Sequence, residues 1–203
     1  MQHLIIIAHP NPKSFNHAIL ERIKDTLVRL GANVEVRDLY QLGFNPCFGE
    51  ADLRKAHGGH APHDVVIEQK YIKHADKITI IAPIWWGYVP AILKGYFDRV
   101  FTNGFAYTSV NGGVKGLLGS KKFGIINTFG MANNYPDLNN NYIFVDKILE
   151  KNIFEFCGSP ICFHKMFFNI EECGQDKRSA MLDEVEKVIQ KFVLDPNYCP
   201  YFG

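Results

Sequence analysis

Apolar positions in this chain fall into short continuous runs that alternate with stretches where they recur every three or four residues. The first run, Leu4 to Ala8, has no polar interruption, the pattern of a strand covered on both faces. Behind it Ile19, Leu20, Ile23, Leu27 and Leu30 line one face of a helix over about residues 16–30, and Gly31 follows as its terminator. Asn33 to Arg37 reads as a short second strand, and a long polar loop with Gly, Pro and His then leads to a helix from Val65 to His74. The same alternation predicts a strand at 77–82, a helix from Ala91 to Phe101 and a strand at 122–127. A helix near 143–156, a strand at 161–167 and a charged amphipathic helix over about 175–192 complete it. Five strands separated by helices predict an α/β protein with a doubly wound parallel sheet, one domain over residues 1–203.

In such sheets ligands bind outside the carboxyl ends of the strands, so the loops there carry the candidate chemistry. The third strand empties into Pro83-Ile84-Trp85-Trp86-Gly87-Tyr88-Val89-Pro90. An isolated aromatic pair more often fills a core, but this loop offers flat surfaces and backbone N–H groups suited to a planar conjugated ligand such as a flavin ring. The first strand leads into His9-Pro10-Asn11-Pro12-Lys13-Ser14-Phe15-Asn16-His17 at a helix start. Ser14 or Asn16 would cap that helix without any ligand, yet the free donors and the dipole there also suit a phosphate. The loop after the fourth strand, Asn127-Thr128-Phe129-Gly130-Met131-Ala132-Asn133-Asn134-Tyr135, would face the same space.

Taken in order, these loops resemble those of the flavodoxin-like NAD(P)H:quinone oxidoreductases, the DT-diaphorase family. The likeness is carried by His9, Ser14-Phe15-Asn16, Asp64 to Lys70, Pro83 to Phe101, Gly104 to Thr108 and Phe156-Cys157-Gly158, and it covers most of the chain. It implies a flavodoxin-like strand order 2-1-3-4-5, a non-covalent flavin (FMN or FAD), NAD(P)H as co-substrate, a quinone-like acceptor and a homodimer. The cofactor-binding set implied is His9, Ser14, Phe15, Asn16, Pro83, Ile84, Trp85, Trp86, Gly87, Thr128, Phe129, Gly130 and Tyr135, with Tyr135 also catalytic. The chain departs from the family at Asn127 and Phe129, in a Thr-Thr-Gly-Gly type turn, and at Asn141, where a histidine is usual. An amide cannot become a cation near neutral pH, which leaves charge compensation to another group, for example His164. The long loop from Leu39 to Asp64 is shorter than in the family's FAD-binding members, which favours FMN, whereas Asp98 stands where an acidic residue is linked to FAD, and the tail Pro196 to Phe202 could fold over a partner subunit. Short relatives of the fold also serve as ancillary subunits of glutathione-gated potassium efflux systems. A flavodoxin-like electron carrier is a third class, though such carriers are usually acidic and use a Thr/Ser-rich phosphate loop.

Composition narrows the classes further. A formal net charge of +1 gives no field for nucleic acid or an anionic membrane, and no apolar run approaches the roughly 18–20 residues of a spanning helix. The amino end enters a strand at once, without a signal-peptide pattern, so a cytoplasmic location is expected. Cys47, Cys157, Cys162, Cys173 and Cys199 form no Cys-x-x-Cys pair and are expected as reduced thiols without a disulfide framework. His57, His60 and His63 have chelating spacing but no carboxylate or thiolate arranged with them, and read as a solvated loop. No dinucleotide fingerprint, Walker motif or Gly-x-Ser-x-Gly elbow occurs: Gly113-Val-Lys-Gly116-Leu-Leu-Gly119 precedes a strand instead of following one. Lys94 and Asp98, four apart on a helix, are expected to form a surface ion pair.

Overall fold

A computed structural model describes residues 1–131, 145, 147–159 and 161–199. Five strands, β1 (Gln2–Ile7), β2 (Asn33–Asp38), β3 (Lys77–Pro83), β6 (Lys122–Thr128) and β7 (Ile161–Phe167), form one sheet in the order β2-β1-β3-β6-β7. Every neighbouring pair in it is parallel, so the predicted order 2-1-3-4-5 is the one observed. The helices are α1 (Phe15–Arg29), α2 (Glu50–Ala56), α3 (His63–His74), α4 (Ala91–Val100), a π-helical segment at Glu150–Glu155, and α5 (Gln175–Leu194).

Because side chains alternate across a strand, the sheet divides its apolar residues between two cores. Leu4, Ile6, Ile78, Ile80 and Ile125 pack with Ile72 of α3, Tyr96 and Phe97 of α4 and Phe154 of the π-helical segment. Ile5, Ile7, Ile81 and Ile126 pack with Ile19, Ile23 and Leu27 of α1 and with Val185, Val188 and Phe192 of α5. The uninterrupted apolar runs thus reflect burial on both faces. Gly31 has φ +70°, the left-handed conformation expected of a helix terminator, and its N–H bonds Val28 O.

Three features differ from the sequence expectation. The long loop after β2 contains α2, whose Asp52 is held by Arg99 of α4 at 3.0 Å while Arg99 also bonds Asn45 O and Asp64. Gly95 lets this segment approach, since a Cβ there would lie 2.2 Å from Pro46 O. Second, β4 (Tyr107–Val110) and β5 (Gly113–Gly116) form an antiparallel hairpin around Asn111-Gly112, where only a glycine-rich stretch was expected. Third, Cys162 and Cys199 are joined in a disulfide, correcting the expectation of five free thiols; Cys47, Cys157 and Cys173 are free. Cys162 lies near the start of β7 and Cys199 beyond α5, so the bond fastens residues 195–199 to their own sheet; the remainder of the tail lies outside the described residues. The Lys94–Asp98 ion pair forms as expected, on the surface.

Candidate functional site

At the carboxyl end of β1 the chain turns through a ladder of local bonds. Asn11 N–H donates to His9 Nδ1 (3.1 Å), Lys13 N–H to Asn11 Oδ1 (2.9 Å) and Ser14 N–H to Asn11 O (3.0 Å). Ser14 is the N-cap of α1, its Oγ accepting from His17 N–H. The three residues of the Ser-Phe-Asn turn therefore do different things. Ser14 caps, Phe15 packs its ring against the α1–α5 core, and the Asn16 amide is buried, donating to Thr128 Oγ1 at 2.9 Å. Asn16 thus ties the β1 loop to the end of β6. The N–H groups of Phe15 and Asn16 have no partner among the described residues and lie in the first turn of α1, where the helix dipole is positive.

The β3–α4 loop is a two-residue turn closed by Trp85 N–H to Tyr88 O (2.9 Å) and Tyr88 N–H to Trp85 O (3.1 Å). Trp86 and Gly87 sit at its tip with φ +51° and +77°. Glycine is at ease there; a tryptophan is not, and a bulky residue in the left-handed region is a structural outlier of the sort found at ligand sites. Trp86 is fully exposed, at 105% of its reference area, and Trp85 is also exposed, so neither indole fills the core. Ile84 N–H donates to Thr128 O at 2.8 Å, fixing this loop to the third. The N–H groups of Trp86 and Gly87 are unpaired among the described residues. Pro83, the last residue of β3, is buried beneath them.

The His9 ring meets the Trp85 ring edge-on with centroids 5.9 Å apart, and so joins the first loop to the second. His9 is held below the usual histidine pKa, chiefly by burial, with the neighbouring His17 adding to the effect. In the third loop Thr128 and Phe129 are buried. The Phe129 ring stacks on Phe168 at 4.6 Å and its N–H donates to Phe167 O at 2.8 Å. The Phe129 C=O in turn accepts from Ile170 N–H at 3.0 Å, so both its backbone groups are taken up by the segment after β7, while Gly130 is exposed. His164, the suggested substitute for the missing histidine, is buried in the sheet with Nε2 2.7 Å from Asn127 Oδ1, one residue before Thr128. Tyr135 and Asn141 lie outside the described residues.

The structure thus brings together His9, Ser14, the α1 start, Trp85, Trp86, Gly87, Thr128 and Gly130 at the carboxyl ends of β1, β3 and β6. The sequence reading missed His17 and Asp38, 3.0 Å apart beside Ser14. Their signal was a histidine three residues after a helix cap and an aspartate ending β2. A groove of about 490 Å³ lined by Gln2, Leu4, Glu35, Lys70 and His74 lies at the opposite end of the sheet.

With this geometry, similarity to known proteins becomes informative. The family model described as flavodoxin-like fold matches residues 1–192. An uncharacterized NAD(P)H oxidoreductase of Haemophilus influenzae is 39% identical over 189 residues, 90% of this chain and 91% of that one. NAD(P)H dehydrogenase [quinone] 1 of Cavia porcellus is 32% identical over 199 residues, 88% of this chain and 72% of that one. Among solved structures, the NAD(P)H:quinone oxidoreductase of Methanothermobacter marburgensis superposes with a TM-score of 0.82 at 25% identity, covering 95% of this chain and 96% of that one. This chain belongs to the flavodoxin-like fold family, among its NAD(P)H oxidoreductases.

Proposed function

We propose that the protein is a flavin-dependent NAD(P)H:acceptor oxidoreductase that reduces quinones or similar electrophiles by two-electron, ping-pong transfer, working as one domain in the cytoplasm. The observation that carries this reading is the left-handed Trp86–Gly87 turn: its two backbone donors, unpaired among the described residues, and the two exposed indoles share the carboxyl end of the sheet with the α1 N–H groups that are likewise unpaired among those residues. That donor set suits a phosphorylated, planar cofactor.

A bound flavin would supply the hydride-accepting and hydride-donating ring. The Phe15 and Asn16 N–H groups and Ser14 would hold its phosphate, and the Trp86 and Gly87 N–H groups would hydrogen-bond its ring edge. Trp85, braced by His9, would form one wall, and Thr128 with the Gly130 backbone would limit the depth of the site. NAD(P)H and the acceptor would occupy the same exposed face in turn, which ties the ping-pong order to a single opening. Tyr135 is assigned as donor to developing charge on the strength of the family resemblance alone.

A homodimer is part of this reading. A groove of about 430 Å³ between α4, the hairpin and the π-helical segment is lined by the rings of Tyr88, Phe97, Phe101, Tyr107 and Phe156 together with Lys94, Asp98 and Asn152, a mixed aromatic and polar surface suited to a second copy. Sedimentation checks it, and a monomer retaining full flavin and activity would remove it. The central test is equilibrium dialysis against FMN and FAD followed by NADH and NADPH oxidation with a quinone series. Parallel double-reciprocal lines are expected; failure to bind either flavin would overturn the reading.

A further inference from the structure

One contact beside the cofactor site is not accounted for by capping. His17 Nδ1 lies 3.0 Å from Ser14 Oγ, and His17 Nε2 lies 3.0 Å from Asp38 Oδ2. Asp38 is itself fixed: its Oδ1 accepts from the N–H groups of Tyr40 and Gln41, each at 3.1 Å, leaving Oδ2 for the imidazole. His17 and Asp38 each keep only 13% of their side-chain area exposed, so the pair is sheltered yet reachable by a proton.

Donor and acceptor roles follow from this arrangement. A carboxylate only accepts, so Nε2 carries a hydrogen whether His17 is neutral or charged. Nδ1 then decides what Ser14 does. In neutral His17 the Nδ1 lone pair takes the serine hydroxyl hydrogen, and Oγ can show an anion only a lone pair. In protonated His17, Nδ1–H donates to Oγ, which already accepts from His17 N–H at 3.3 Å. The hydroxyl hydrogen is then released to point outward, and the imidazolium adds a positive charge behind it.

We propose that His17 and Asp38 are a proton-coupled positioning pair that converts Ser14 from acceptor to donor toward the flavin phosphate, so that cofactor binding draws one proton from solvent onto His17. The inference rests on the reading that the phosphate lies at the start of α1. Among the described residues, the titratable groups paired with or packed on His17 are Asp38 from β2 and His9 from the β1–α1 loop, whose ring lies edge-on at 6.3 Å. By linkage, what binds the protonated form more tightly must raise its pKa, and affinity must fall as pH rises through the histidine range.

The experiment is flavin binding measured by fluorescence quenching from pH 5.5 to 8.5, with calorimetry in buffers of different ionisation heat to count protons. FAD is the main probe because its diphosphate does not titrate there, and riboflavin, without phosphate, is the control. A charge-assisted hydrogen bond predicts FAD binding about 10- to 100-fold tighter at the acid end. Proton uptake should approach one per FAD, and riboflavin binding should not vary with pH. In His17→Gln the pH dependence and the uptake should vanish. The same slope and uptake in His17→Gln, or the same slope for riboflavin, would overturn the proposal. Should that variant not fold, the ring C–H resonances of His17 in the unaltered protein decide: its pKa should rise on saturation with FAD, and an unchanged value sinks the idea. Flavin binding without proton uptake defeats this inference alone; no binding of FMN or FAD at any pH defeats the flavin reading beneath it.

Discussion

The two ends of the sheet are built on opposite terms. At the amino end, lysine and backbone groups are tied down: Gln2 N–H donates to Asp76, Lys77 Nζ to Phe192 O and Val193 O, Lys121 Nζ to Ala75 O, and Lys122 Nζ to Pro196 O, though His3 Nδ1 is buried there without a partner among the described residues. Two of those lysines take up carbonyls at or beyond the last turn of α5, and the disulfide adds a covalent tie in the same place. At the carboxyl end the loops are tied to one another, yet among the described residues the N–H groups of Phe15, Asn16, Trp86 and Gly87 have no partner, and the indoles are exposed. Unpaired donors are tolerable where water can reach them, and they are the means of binding where a ligand displaces that water. Stability is therefore expected to be lodged at one end and binding at the other.

The most forceful way to break the comparison is to cut the disulfide. Its partners are 37 residues apart, and a loop of that size predicts a loss of about 3–4 kcal/mol on reduction or in Cys199→Ser. Chemical denaturation of the oxidised and reduced protein would show it, with flavin affinity at saturating folded protein unchanged.

A second expectation concerns His3. Burial, with the Lys77 charge behind it, lowers its pKa from 6.5 to about 3. Because the folded value lies below the unfolded one, the neutral ring's contribution is fully present above pH 6.5. It is lost as pH falls from there toward 3, the unfolded chain taking up the proton first. Roughly 3 kcal/mol should disappear between pH 6.5 and 4, and His3→Leu should flatten that part of the profile. An equally steep decline in the variant would assign it to other groups.

At the carboxyl end, Thr128→Val removes the partner of the buried Asn16 amide and should cost about 1–3 kcal/mol while loosening the join between the first and third loops. Here flavin affinity should fall along with stability, since the tie serves both. The smallest stability effect belongs to Trp86→Ala, expected within about 0.5 kcal/mol because the side chain is exposed. Its flavin binding should weaken about 2- to 10-fold if the indole meets the ring. A large stability loss there would erase the contrast between the two ends.

Most of the sheet was legible because burial on both faces leaves an unbroken apolar signature, as in Ile78 to Ala82, and the helix that follows Ser14 is marked by both cap and period. What escaped the sequence depends on distant partners. Helix α2 has its one large apolar residue, Leu53, exposed and is held by the Arg99–Asp52 pair, which no local period announces. The disulfide joins residues far apart in sequence, and the His17–Asp38 pair meets only because β2 runs beside β1. The hairpin was within reach, since Asn111-Gly112 is a turn signal. Of the candidate site, the aromatic loop and the helix start were readable as positions. That Asn16 faces inward and Phe129 stacks on Phe168 was not, because side-chain direction at a loop is set by the neighbouring loops.

The Trp86–Gly87 turn also bears on how this enzyme can change. Its closure depends on the main chain of Trp85 and Tyr88, so the side chain at position 86 is a free variable of the scaffold. Selection or a designed library can replace it without renegotiating the core, and Asn or Gly there would even relieve the backbone. Acceptor preference in this lineage can therefore drift at a tip residue while the protein beneath it stays the same.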